Sequence, residues 1–308
     1  MIRKFFKEYI GLVFSWLSSS LTIAICLSIV LFIFIKGIGE INIPFLFTEP
    51  VPTMVAEKSG GISTPIIGTF ILTFIGILIA FPWSLATAVY LSEYASRNKF
   101  AGFFRLAIDV LSGVPTIVIA IFALAVFTNP QFAFLSSMIH VTNKAFGRSF
   151  FVAGITMAIM VLPYIIKTCE EAIRSVPESF KEASLALGAT KWQTTIKVVV
   201  PSAIRGIITA ITLGIGRIIG DTAIVWLTLG GTLRMTGAKP WWYPENWLST
   251  LQNTGSTLTT YIFFTSPSGE GNLPEKAFGA SLVLLFIIIV INLIIEFISR
   301  PDKLSMEE

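Results

Sequence analysis

Two ionisable side chains four positions apart, Arg217 and Asp221, sit inside an otherwise apolar stretch of this 308-residue sequence. A charge at the middle of a bilayer costs about 2.5–3.5 kcal/mol on the insertion scale, so such a pair is kept for a reason. On a continuous helix the spacing puts both on one face, within pairing distance. The chemistry on offer is oxyanion recognition. A guanidinium stays charged when desolvated, and its planar fork donates paired hydrogen bonds to phosphate or carboxylate. The aspartate could hold the arginine, moderate binding so that an anion can leave, or accept a proton from a phosphate hydroxyl. The plainer alternative is a structural salt bridge that specifies packing. Gly206, Ala210 and Gly214 continue the stripe, and Gly216 and Gly220 form a neighbouring one. Small residues admit a second backbone closely, which points to a helix lining a subunit interface with Arg217 projecting into it. Ser112 and Thr116, in the run Ser112-Gly113-Val114-Pro115-Thr116, are further candidates for a pathway wall. Proline in a span frees backbone groups that neighbours or water must satisfy.

The elements that must hold these residues are apolar helices. The chain is 54% hydrophobic and only 13% charged, against about 25% charged in an ordinary soluble domain. It is therefore expected to be an all-α integral membrane protein. A spanning helix takes roughly 20 apolar residues, and six stretches qualify: about Leu17–Ile35, Ile66–Leu91, Leu106–Phe127, Phe150–Ile166, Ala203–Leu229 and Ala277–Ile298. The fourth is short and should run on past Pro163. The first has a basic start at Arg3, Lys4 and Lys7, but its apolar run far exceeds a secretory core of about 7–15 residues, so it reads as a retained anchor. An outer connector with Pro44, Pro50, Gly60 and Gly61 would join it to a five-span core, giving segments 1–60, 61–300 and a tail, 301–308.

Basic residues set the expected orientation. With the N-terminus inside, cytoplasmic segments carry fourteen of them, among them Arg105, Lys167, Arg174, Lys181, Lys191 and Arg205, and outer loops carry six. The bias places both termini in the cytoplasm and means that the net charge of +4 needs no nucleic acid to explain it. Cys26 and Cys169 lie too far apart in the expected topology to pair. A lone His140 cannot build a metal site. Trp241, Trp242, Tyr243 and Trp247 suit an aromatic belt at the lipid surface.

Between the fourth and fifth spans lies a polar insert of about 175–200. Ser175-Val176-Pro177-Glu178 and Thr190-Lys191-Trp192-Gln193 both have capping-box spacing, and Gly188 can take the left-handed conformation that ends a helix. Two short helices with a glycine corner follow, the second ending before Pro201. Spacing alone leaves this open between a docking corner and an amphipathic loop on the membrane surface.

The insert resembles a known motif. Glu182-Ala183-Ser184, three intervening residues, Gly188, nine intervening residues and Val198-Val199-Val200-Pro201 make a pattern similar to the Glu-Ala-Ala…Gly…Ile-x-Leu-Pro coupling motif of permease subunits in ABC importers. Gly216-Arg217-Ile218-Ile219-Gly220-Asp221-Thr222 resembles the Gly-Arg-Ala-x-Gly-Glu-Thr stretch of bacterial phosphate permeases, with Asp221 shorter than the usual glutamate by one methylene. Ser112-Gly113-Val114-Pro115-Thr116-Ile117-Val118 resembles their Ser-Gly-Val-Pro-Ser-Ile-Val, and the likeness, strongest to the PstA type, runs from about Gly60. It implies a type I (MetI-like) importer core with one extra N-terminal helix, a phosphate-import role and Arg217 on the anion's path. Glu182, Ala183, Ser184, Leu187 and Gly188 would form the corner gripped by an ATPase. The implied partners are a second, PstC-like permease, a homodimeric PstB-like ATPase, a PstS-like extracytoplasmic phosphate-binding protein, and membrane lipid. No Gly-x4-Gly-Lys-Ser/Thr loop occurs, so this chain should bind no cofactor, and ATP and Mg would be used by the partner ATPase. A sulfate or molybdate permease is the nearest alternative. A membrane enzyme acting on lipid phosphates is a remoter one, because the histidine, acid or metal-ligand clusters it would use are missing.

Overall fold

The computed structural model describes residues 2–51, 60–95, 99–136, 138–139, 144–231 and 243–299. His140, Trp241, Trp242 and the 301–308 tail lie outside them. The described chain is nearly all helix. Four helices are long and apolar enough to cross a membrane, and two bent helix pairs make six spans if each pair counts as one. A two-residue hairpin, β1 (Met138–Ile139) with β2 (Lys144–Ala145), is the regular sheet among the described residues.

The first span, α1 (Ile2–Gly37), leans on the last, α14 (Pro274–Ser299). Phe32 meets Phe278 edge to face at 5.5 Å, and Gly37 lies so close to the Phe278 carbonyl that a Cβ would collide with it. Most of the remaining described surface of α1 is open. Short α2 (Ile43–Phe47), capped by the Asn42 side chain, leads on to α3 (Ser63–Val89). That helix runs through Pro82 and closes in a π-turn, Tyr90–Tyr94.

The third span is broken outright. α4 (Lys99–Gly113) and α5 (Thr116–Phe127) meet at 100°, where one span from about Leu106 to Phe127 was expected. Pro115 has no N–H to donate and pushes Val114 out of the helical region. Phe150–Arg174, α6, is the most buried of the four long helices and passes Pro163 without stopping, as expected. Its start is tied down by Ser149, whose Oγ accepts from the Val152 N–H and donates to the Leu135 carbonyl.

Beyond the insert, built from α7 (Glu178–Ala186), α8 (Lys191–Thr194), a π-turn and α9 (Val200–Ser202), the chain bends 67° into α10 (Ile204–Gly220). The fifth span is not one helix to Leu229. It stops at Gly220, and α11 (Ala223–Thr228) begins after an extended Asp221. Two short helices, α12 (Trp247–Gln252) and α13 (Leu258–Thr265), precede α14.

The core is layered around α6. Gly154 backs onto Ile75 of α3, while Gly206 and Gly214 of α10 back onto Ala172 and Ile165 of α6. The stripe Gly206–Ala210–Gly214 is thus filled by this chain's own α6 and is not free for another subunit, contrary to the expectation. A Cβ on Gly216 or Gly220 would meet nothing within 4 Å. Large side chains such as Phe74, Trp83 and Phe286 lie open on the outside. In water that exposure would cost about 25 cal/mol per Å² of apolar surface; in lipid it costs nothing.

Candidate functional site

The corner of the insert is built by backbone chemistry. Helix α7 ends in a Schellman turn: the Ala189 N–H reaches the Ser184 carbonyl, the Gly188 N–H reaches Leu185, and Gly188 sits at φ +82°. That left-handed conformation disfavours any residue with a Cβ. The capping box at Thr190 and Gln193 is formed with both bonds present. The one expected at Ser175 is not. Ser175 caps the end of α6 with its hydroxyl on the Ala172 carbonyl, and α7 starts from Pro177 instead, because a Pro there presets φ and needs no donor. The second helix also runs through Pro201 to Ser202. The π-turn Thr195–Val199 before it widens the spiral, and the break comes at Ala203, which is no longer helical at ψ 1°.

Ser184 has a role that the motif comparison did not give it. Its hydroxyl meets that of Thr194 at 2.9 Å and ties the two arms of the corner together. Glu182, Ala183 and Gly188 are exposed, and Leu187 is 89% exposed. Phe180, Leu185 and Trp192 are open nearby, giving a polar segment an apolar tip.

The corner is braced from within. The Lys181 ammonium pairs with Glu93 at 2.9 Å and Glu178 at 3.1 Å, and Lys191 stands 4.9 Å from the centre of the Tyr94 ring. Burial works against the Lys181 charge, but the two carboxylates outweigh it and hold its pKa above the ordinary value. Glu170 of α6 takes Arg105 at 3.0 Å and Arg174 at 2.6 Å, and Arg105 also donates to the Leu91 carbonyl. This collar joins the ends of α3 and α6 and the middle of α4 to α7. Glu170–Arg174 and Glu178–Lys181 are local helix pairs, but only the fold brings Glu93 to Lys181 and Arg105 to Glu170, and no local sequence signal announced those.

Deeper in the bundle, Arg217 and Asp221 part company. Asp221 leaves the helix, and its Oδ1 accepts from the Ile224 N–H at 2.8 Å, holding the first turn of α11. Aspartate competes for backbone donors and favours such positions over helix interiors. Thr116, at the first turn of α5, faces the same carboxylate. Arg217 makes no ion pair with it. Instead its guanidinium lies 3.8 Å over the Tyr164 ring, with Nε on the Met160 sulfur at 3.2 Å, and the residue is exposed. Ser112 lies on the other side of Tyr164, whose hydroxyl donates to the Ser112 carbonyl at 3.2 Å. The Ser112 hydroxyl donates to the Asp109 carbonyl, and its oxygen accepts from Lys167 at 3.2 Å. So Arg217, Ser112, Thr116 and Asp221 gather around the break in α4–α5 and the break in α10–α11. Tyr164, which links Arg217 to Ser112, was missed. An aromatic residue one position after Pro163 in an apolar helix offers no signal of its own.

Among the described residues no group of three or more His, Cys, Asp or Glu side chains could hold a metal ion. What the cluster offers is one open guanidinium and several hydroxyls at broken helix ends.

The family model described as "binding-protein-dependent transport system inner membrane component" matches residues 80–300. The chain belongs to that family. It is a transmembrane permease subunit of an ABC importer, a transporter component. The permease is 31% identical over 280 residues, 90% of each chain, to a probable ABC transporter permease, YqgI, of Bacillus subtilis (strain 168). It is 30% identical over 275 residues, 88% of each chain, to a probable phosphate transport system permease protein PstA of Methanocaldococcus jannaschii. Among solved structures it is similar in fold to a chain of the inward-facing MetNI methionine ABC transporter, with TM-score 0.53 and 18% identity, covering 78% of this chain and 93% of that one. The MetI-like importer fold expected from the coupling motif is the fold observed.

Proposed function

We propose that this permease is the PstA-type half of an inorganic-phosphate importer in the bacterial cytoplasmic membrane, with both termini in the cytoplasm. The observation that carries the reading is Arg217. Its guanidinium is exposed, supported from one side by Tyr164, and in no ion pair with a carboxylate among the described residues, so the outer nitrogens of its fork are open to an oxyanion. Arginine binds such groups in two parallel hydrogen bonds and keeps its charge out of water. Relatives named as PstA phosphate permeases at about 30% identity support the same solute. Residues 1–60 serve as anchor and connector, and 61–300 as the transporting core.

The rest of the machine is other chains: a PstC-like permease, a PstB-like ATPase pair that uses ATP and Mg, and a PstS-like phosphate-binding protein. Glu182, Ala183, Ser184, Leu187 and Gly188 present the corner to the ATPase. ATP-driven closure of that pair draws the corners together and turns the pathway outward; hydrolysis returns it. Ser112, Thr116 and Asp221 line the route around Arg217.

The test is uptake of labelled phosphate by cells carrying the whole system, wild type against Arg217→Gln, with assembly checked in the same membranes. We expect uptake to fall about 10- to 100-fold, the scale of lost charge-assisted hydrogen bonds, with assembly intact. Unchanged uptake would make Arg217 a packing residue. Sulfate or molybdate carried in preference to phosphate would move the solute to those oxyanions.

A further inference from the structure

We propose that Lys167 is a second oxyanion station on the same path, with Asp109 occupying it when no anion is present. The inference rests on the phosphate reading above and adds a residue to it. Lys167 lies within α6, in the part of the helix that runs on past Pro163. Met160, Tyr164 and Lys167 follow one another at spacings of four and three, which places them on one face of the helix. Met160 and Tyr164 hold Arg217. At 1.5 Å per residue Lys167 lies roughly 10 Å beyond Met160 and about 5 Å beyond Tyr164 along that face, toward the coupling corner.

Among the described residues three sets of ion pairs lie around α6, and they differ in exposure. Glu93 and Lys181 are 8% and 13% exposed at their side chains, and Glu170 is 12% exposed between its two arginines. Each of those sets has a buried centre, although Arg174 and Glu178 at their edges are 53% and 77% exposed; the third set has none. The Lys167–Asp109 pair, 2.8 Å apart, is 42% and 61% exposed. Open pairs contribute about 0–1 kcal/mol to stability, so this one does little for the fold, and its carboxylate can be exchanged for another oxyanion at small cost.

The local hydrogen bonds favour such an exchange. Ser112 commits its proton to the Asp109 carbonyl and turns its oxygen to Lys167. If the Asp109 carboxylate swings away, the ammonium keeps one neutral ligand and has donors to spare, since lysine offers three. Tyr164 supports Arg217 with its ring and Ser112 with its hydroxyl, so the two cationic stations share one mount. An arginine fork selects by geometry, whereas a lysine is a rotatable point charge. Selection first and looser holding afterwards suits an anion moving toward release.

The experiment uses the assembled importer and labelled inorganic phosphate, measuring uptake against concentration together with assembly. Lys167→Gln should lower uptake about tenfold or more, the scale of one charge-assisted hydrogen bond, and Lys167→Arg should retain most of it. Asp109→Asn should lower both the half-saturating phosphate concentration and the maximal rate several-fold, because the freed ammonium holds the anion longer. The double variant Lys167→Met with Asp109→Asn separates the station from a structural pair: a station predicts the low uptake of Lys167→Gln, a structural pair predicts wild-type uptake. Wild-type import with an unaffected Lys167→Gln, or a double variant restored to wild type, overturns the station and leaves the phosphate reading standing. A wild type that imports no phosphate overturns both.

Discussion

Gly188 carries its conformation alone. Its φ of +82° is strained for any L-residue, yet an added Cβ would touch nothing within 4 Å, so substitution acts on the backbone and not on packing. Gly188→Ala should therefore weaken the corner by about 1–2 kcal/mol, the cost of the left-handed region, and Gly188→Asn should recover part of it. Hydrogen exchange at the Ala189 amide, which closes the Schellman turn, would read the change, and copurification of the ATPase would show its consequence. Glycine at this place was legible from sequence, as was the Thr190 cap, because both are local. The partnership of Arg217 with Asp221 was misread because it assumed a helix that continued. The residue types argued otherwise: an aspartate followed by a β-branched threonine is a poor helix interior and a good start for the next turn.

At the scale of elements, the breaks matter more than the spans. Positions of the spans could be read from apolar runs, but the 100° turn at Pro115 and the end of α10 at Gly220 depend on which neighbours satisfy the freed backbone groups. The collar around Glu170 and Lys181 was invisible for the same reason: Glu93 and Lys181 are 88 positions apart in the sequence. Replacing Glu93 by Gln leaves a largely buried ammonium with Glu178 as its remaining carboxylate, at a cost of about 1–3 kcal/mol. The expected outcome is uncoupling, in which the ATPase stays bound and hydrolyses while uptake falls; the ratio of phosphate moved to ATP consumed measures it. The pH dependence has a definite sign. Because the folded-state pKa of Lys181 is raised, its stabilising contribution is complete below the ordinary lysine value and is lost as pH climbs through the raised one.

For the molecule as a whole, the N-terminal span stands apart. It meets the rest chiefly through α14, at Phe32 and Gly37. A chain lacking residues 1–37 should still assemble with its partners, and Gly37→Leu should detach α1 without unfolding the core. Crosslinking between cysteines placed at positions 32 and 278 would report the detachment, and blue native electrophoresis the assembly. The other helices do not separate so easily, because α6 belongs to both functional regions. Tyr164, under the Arg217 guanidinium, and Glu170, in the collar, are six residues apart on one unbroken helix, about 9 Å along its axis. Such a rod behaves as a lever with a fixed arm. If the collar acts as the fulcrum, a tilt of about 10° sweeps Tyr164 through roughly 1.5 Å, as much as one residue's rise. That stroke exceeds the slack in a 3.2 Å hydrogen bond, so the grip on an anion would be gained or lost in a single swing and not by degrees.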